Sequence, residues 1–241
     1  MVAILTRNLT KNYRSGERTI EALQDINLQI DNGELVAIIG PNGAGKTTLI
    51  NILCGLLFPT KGEVIVDGKD VKKVGHRIIH SSISPILSLG LPSRWPRLKV
   101  REFLEFRAAY YGVSNPKKRA KEVIEWIGLT EKEDEWPAKL SQGMRSKLIV
   151  ASAFLHDVPI YLLDEPTVHL DPVFSRDLRV FLRNQAERGK TILVSSQIMV
   201  DAEACDRVIF LRGGKIVAIR PPEQLRSFFA EEHVYQIHLE A

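Results

Sequence analysis

Residues 34–55 read "ELVAIIGPNGAGKTTLINILCG", and this stretch decides the fold. "ELVAIIG" is a continuous apolar run that ends at Gly40. Such a run marks a strand buried on both faces. A glycine-rich loop follows, and then "KTTLINILCGLL" reads as a helix. Strand, glycine-rich loop and helix in that order begin a parallel α/β core.

The loop itself, "GPNGAGKTT" from Gly40 to Thr48, matches the P-loop pattern in the strand-to-helix context that the pattern requires. In the run Gly40, Pro41, Asn42, Gly43, Ala44 and Gly45 the glycines let the backbone N–H groups, all but that of Pro41, which has none, turn inward around a phosphate. The helix start adds a favourable dipole. Lys46 reaches the β- and γ-oxygens, Thr47 offers a hydroxyl to Mg²⁺, and Thr48 completes the motif.

A second signal lies at "IYLLDEP". Four apolar residues deliver two carboxylates to a buried strand end. Asp164 is placed to hold Mg²⁺ through water, and Glu165 to orient or deprotonate an attacking water. Neighbouring strand residues face opposite ways, so the two acids serve separate roles.

Outward from these motifs, "DINLQID" alternates as a half-buried strand and "GEVIVDG" is a strand bracketed by glycines. "VREFLEFRAAYYG" and "NPKKRAKEVIEWIGL" read as amphipathic helices. The second has Asn115 as cap, Pro116 at its first position and Gly128 as its stop. "TILVSS" is another buried strand, and the helix before it is capped by Asp171, opened by Pro172 and ended at Gly189. "RVIFLRGGKIVAI" is a hairpin around "RGG". The layout is a mainly parallel α/β core over residues 1–222, with a helical insertion at about 86–140 and a short tail at 223–241.

Composition narrows the function classes. Of 241 residues, 44% are hydrophobic and 26% charged, an ordinary soluble balance. The net charge of +4 is too weak and too spread to argue for nucleic acid. Cys54 and Cys205 show no metal or disulfide spacing, which points to a reducing compartment. No apolar run approaches the ~18 residues that cross a bilayer, and the start has no secretory pattern. A membrane role therefore requires a second chain.

"GPNGAGKT", "LSQGM" and "LLDEP" stand in that order, and together they resemble the ATPase subunits of ABC transporters, most closely the exporter-type (ABC-2-like) group. The likeness runs from residue 3 to about residue 222. It implies a P-loop NTPase core with an N-terminal antiparallel β subdomain and an inserted α-helical subdomain. "LSQGM" looks like the family signature, with Ser141 and Gly143 in the matching places. Val168 to Asp171 looks like the D-loop, and Tyr13, taken to follow the first strand, resembles the aromatic residue on which adenine stacks. In the family two such domains pack head to tail, and each ATP lies between one P-loop and the other domain's signature. Ser141 as a helix N-cap, with its amides pointing outward, suits a partner's γ-phosphate. The resemblance implies ATP and Mg²⁺ as ligands, a second ATPase subunit and a separate transmembrane permease as partners. It also implies a place at the cytoplasmic face of the cell membrane.

The sequence departs from the family at three positions. Gln197 stands where the family usually has a histidine that contacts the γ-phosphate. Glutamine donates a hydrogen bond but carries neither a titrating proton nor a positive charge, so hydrolysis should be slow. "IIHSSISPILSLGLPSRWPRL" contains no glutamine to match the one that usually ends the strand entering the helical insertion, and Ser84 is the substitute expected near Mg²⁺. Val168 replaces the usual D-loop serine. Three readings stay open: a slow but competent ATPase, a weakened member of a heterodimeric transporter, and a soluble ABC-type ATPase that acts in assembly.

Lesser features carry paired readings. Tyr13 suits an adenine platform or a strand-end core aromatic equally. "SRWPRLKVR" is a loop for a membrane partner or a solvated one, and "NPKKRAK" is a charged helix face. His169 is a contact across a dimer or an exposed side chain. Cys54 is a small buried residue behind the P-loop. "VYQIHLEA" reads as one more strand.

Overall fold

The computed structural model describes residues 1–16, 18–74, 81–86 and 98–224. Two long strands open the chain, β1 (Val2–Ser15) and β2 (Arg18–Asp31), paired antiparallel. Their register shifts around Leu9 and Lys11, near Asn8 and Asp25, which sit at φ 47° and 52°. Non-glycine residues in that region are usual at bulges and turns. Past the shift, Ile26, Leu28 and Ile30 are buried in alternation, as "DINLQID" requires. Tyr13 lies within β1 rather than after it.

β3 (Leu35–Ile39) is buried throughout, and the loop after it leads into α1 (Lys46–Leu53). Next come β4 (Lys61–Val66), β5 (Lys69–Asp70) and β6 (Ile83–Ile86). The helical part holds α2 (Val100–Tyr110), α3 (Pro116–Trp126) and α4 (Gln142–Ala153). It is followed by β7 (Ile160–Asp164), α5 (Pro172–Glu187), β8 (Thr191–Ser196), β9 (Arg207–Arg212) and β10 (Lys215–Arg220).

Two sheets result. The smaller is antiparallel in the order β2-β1-β4-β5. The larger runs β10-β9-β3-β8-β7-β6, parallel except for the β9–β10 hairpin. Strand alternation splits the core between its two faces. Leu35, Ala37 and Ile39 join a cluster with α2 to α5, whereas Val36 and Ile38 join one with α1 and the small sheet.

The caps form as their residue types demand. Asn115 Oδ1 accepts from Lys118 N at 3.1 Å, and Asp171 Oδ1 accepts from Phe174 N at 2.8 Å. Gly128 and Gly189 follow the two helices at φ 68° and 87°, where a side chain would be strained. Trp126 at the end of α3 fixes the helical part to α5, with its ring 4.6 Å from that of Phe181.

Lys99 and Arg101 of "SRWPRLKVR" both pair with Asp134 at the surface. Arg94, Trp95 and Arg97 lie outside the described residues, as does "VYQIHLEA".

Candidate nucleotide site

Three parallel strands end together. Ile39 of β3 lies opposite Ser196 of β8, and Ser195 lies opposite Asp164 of β7. Ligands of open α/β sheets bind at such carboxyl ends.

The P-loop leaves β3 here, and two of its glycines are steric necessities. A Cβ on Gly40 would sit 2.2 Å from Leu211 O, and one on Gly45 would sit 2.5 Å from Ala22 O. Gly45 also adopts φ 106° as the residue preceding α1. The loop is thus wedged between the β9–β10 hairpin and β2. Ala44 N donates to Pro41 O, and Gly214 N of the hairpin donates to Ala44 O at 3.1 Å. Asn42 and Gly43 lie on its exposed crest.

Lys46 is buried. Its Nζ donates to Gly40 O at 2.7 Å and Pro41 O at 3.1 Å, and lies 3.4 Å from Glu165 Oε1. Gln197 Nε2 donates to the same Glu165 oxygen at 2.9 Å. The structure therefore brings Lys46, Glu165 and Gln197 into one polar group, although 151 positions separate the first from the last. Thr47 and Thr48 lie in the first turn of α1, and the Thr48 hydroxyl is 3.4 Å from that of Tyr13. Tyr13 is partly exposed, with Lys11 Nζ 5.2 Å from its ring centroid. Its hydroxyl thus reaches the first turn of α1, next to the loop.

Asp164 and Glu165 diverge by a route that strand alternation did not foresee. β7 ends at Asp164, and Glu165 turns into the left-handed region at φ 50°. Glu165 N reaches back to Ser195 O at 3.0 Å and Ser195 Oγ at 3.1 Å. Asp164 is buried, and its Oδ1 accepts from Ser195 Oγ at 2.5 Å. Its Oδ2 is buried without a hydrogen-bond partner among the described residues. An unmatched carboxylate oxygen in a dry position suits a hard divalent cation or its bound water. With the Thr47 hydroxyl at the helix start, the donor set fits Mg²⁺.

The expectation for Ser84 is corrected. β6 places it opposite Tyr161, three residues before Asp164, and its buried hydroxyl donates to Ala153 O on α4 at 2.6 Å. It ties strand to helix and does not face the cradle. The residues directly after Ile86 lie outside the described ones.

Ser141 is the N-cap of α4, accepting from Met144 N at 3.3 Å. Gly143 is close to the turn after β7: a Cβ there would lie 3.0 Å from His169 O. His169 is exposed at φ 65°. Among the described residues, no hydrogen bond or ion pair joins Ser141 or Gly143 to the Lys46–Glu165 group.

Sequence reasoning missed Ser195 and Asp201. Ser195 braces both acids through one hydroxyl, and its signal was the polar "SS" that ends an apolar strand. Asp201 accepts hydrogen bonds from Thr167 and Ser196, on either side of the site. Nothing in "QIMVDAEACD" distinguishes it.

Comparison with known proteins agrees with this geometry. The ABC transporter family model matches residues 23–168. The chain is 33% identical over 221 residues to the ABC transporter ATP-binding protein NatA of Bacillus subtilis, covering 89% of this chain and 87% of that one. It is equally identical, over 220 residues, to the SkfA peptide export ATP-binding protein SkfE of the same organism, covering 90% and 88%. A dimeric ATP-binding cassette, MJ0796, solved in a post-hydrolysis state with ADP and Pi, superposes with a TM-score of 0.84 at 29% identity. That match covers 91% of this chain and 98% of the cassette. Both the motifs and the sheet order are therefore those of a known class: the chain belongs to the ABC transporter family, as one of its ATP-binding subunits.

Proposed function

We propose that two copies of this cassette, or this chain and a related one, close around ATP and drive export through a separate transmembrane subunit at the cytoplasmic face of the membrane. The observation that carries this reading is the junction of Lys46, Glu165 and Gln197 at the mouth of the P-loop. Lys46 holds the β- and γ-phosphates, and the loop amides from Gly40 to Thr48 surround them. Tyr13 carries the adenine. Thr47 and the free oxygen of Asp164 would hold Mg²⁺, which supplies charge neutralisation to the phosphate oxygens when bound.

Glu165 takes the proton of the attacking water, and Gln197 orients Glu165 through its amide. Because an amide brings no positive charge to the γ-phosphate, we read the hydrolysis as slow. Ser141 and Gly143 complete the site of the opposite cassette, since their own helix start does not join the Lys46 group. Gln197 equally favours a second reading, in which this chain is the weaker half of a heterodimer.

For the transmembrane partner, the supporting feature is a groove lined by Tyr111, Val113, Arg119, Phe154 and His156. On α2 beside it, Phe106 and Tyr110 are 61% and 76% exposed. Large apolar side chains left in water next to a groove suit a protein contact.

The test uses light scattering on Glu165→Gln saturated with ATP. A particle of twice the mass is the expected result, and Ser141→Arg should abolish it while leaving ATP affinity unchanged. Monomers alone, with and without a copurifying partner ATPase, would refute the shared site. Lys46→Ala should lose ATP binding measured by calorimetry.

A further inference from the structure

Among the described residues no hydrogen bond or ion pair joins Asp201 to the P-loop or to Glu165, yet its side chain is only 2% exposed. Burying a carboxylate is costly unless it is fully hydrogen-bonded. Three elements satisfy this one. Its Oδ2 accepts from Thr167 Oγ1 at 2.7 Å, in the turn after β7, and from Ser196 Oγ at 2.6 Å, at the end of β8. Its Oδ1 accepts from Arg179 Nη1 on α5 at 3.0 Å.

These bonds close a ring. Ser196 Oγ, having donated to Asp201, accepts from Ile198 N at 2.9 Å, so the residues on both sides of Gln197 are held. Gln197 then donates to Glu165, and Glu165 leads through Pro166 back to Thr167. A carboxylate only accepts, so both hydroxyls are forced to donate to it, which fixes their rotors. We propose that Asp201 is a positioning residue for hydrolysis: it locks the turn bearing Glu165 to the turn bearing Gln197 and so keeps their side chains in register. The proposal rests on the reading of Glu165 as the base.

Asp201→Asn retains the shape but replaces one oxygen with a donor, which cannot accept from two hydroxyls and a guanidinium at once. In the full chain we expect kcat for ATP hydrolysis to fall about tenfold with KM for ATP within about twofold, the pattern of an interaction lost chiefly in the transition state. The Gln197 side-chain amide resonance, assigned through its loss in Gln197→Ala, should shift in Asp201→Asn. The double variant Gln197→Ala/Asp201→Asn should be no slower than the slower single one, because both act on Glu165 through one chain of bonds. A folded Asp201→Asn with unaltered kcat and an unmoved Gln197 resonance overturns the proposal. So does a higher KM at unaltered kcat, which would make Asp201 a general support of the nucleotide site. Should Asp201→Asn not fold, Ser196→Ala is judged by the same readouts. Normal hydrolysis by Glu165→Gln would remove the base reading instead, and the Gln197 resonance would still test Asp201.

Discussion

Glu165 stands at φ 50°, a conformation that costs a non-glycine residue of order 1 kcal/mol and persists only when its surroundings enforce it. Here the enforcement is visible: its N–H is fixed by Ser195, and its carboxylate lies between Lys46 and Gln197. The strain turns the carboxylate towards the P-loop lysine. On the proposed reading, Gln197→His puts in the residue type that the family resemblance implies at this place, and with it a side chain that can carry a charge. We expect kcat to rise about tenfold or more, the scale of one well-placed charged donor. Steady-state phosphate release checks this, and a fall in kcat would mean that the Gln197–Glu165 hydrogen bond outweighs the missing charge. The cysteines make a second residue-scale case. Burial, reinforced by the charge of Asp164, pushes the Cys54 thiol far up. Burial, with Asp206 and Asp201 adding to it, raises Cys205 to about 12. Because the thiolate is the reactive form, neither should react with a disulfide reagent at pH 8 in the folded chain, and both should react in denaturant. Lys46, Asp164, Glu165 and Cys54 were legible in the sequence because each sits in a local pattern. Ser84 was misread because its direction depends on α4, about 70 residues onward, and no local pattern encodes that contact.

At the scale of elements, the helices and buried strands were readable from period and caps. Asn115–Pro116 and Asp171–Pro172 both open helices where those residue types dictate. Less readable was how helices lock together. Lys147 on α4 reaches Asp171, the cap of α5, at 2.8 Å, and its ammonium lies 4.7 Å from the centroid of the Phe174 ring. This contact joins the helix that begins at Ser141 to the helix that follows the Glu165 turn. The hydrogen bond from Lys147, then that from Phe174 N, lowers the Asp171 carboxyl below its ordinary value. The sign follows from linkage: a carboxyl depressed in the folded state adds stability above its unfolded pKa, about 3.9, and loses it as pH falls through the folded value. Asp171→Ala should therefore lower the melting temperature at pH 7 by more than it does near pH 3. A difference that stays constant over that range would show that the neutral cap, and not the ion pair, carries the effect.

Across the whole molecule, the two sheets meet at the P-loop, and a hairpin far away in sequence makes the joint. Gly214, between β9 and β10, donates its N–H to Ala44 O in the loop and accepts from Gln24 N in β2 at 2.8 Å. The sequence announced the hairpin through "RGG" but not its place, because the bonds span 170 residues to the loop and 190 to β2. Position 214 also demands glycine twice over: φ is 76°, and a Cβ would lie 2.8 Å from Ala22 O, which is backbone and cannot swing aside. Gly214→Ala must push the hairpin away from β2 or abandon the left-handed conformation. Either route strains the loop at Ala44, two residues before Lys46. We expect a loss of about 1–3 kcal/mol in unfolding free energy, measured by denaturant titration. ATP affinity should weaken several-fold as well, although Gly214 is not among the residues assigned to the nucleotide. Gly213→Ala, one residue earlier, shares the positive φ but meets nothing within 4 Å, so it carries the backbone strain without the collision. If the two variants weaken ATP binding equally, crowding against β2 is not what holds the loop. A selective effect of Gly214→Ala would establish that the small sheet, the hairpin and the P-loop act as one rigid seat for the phosphates.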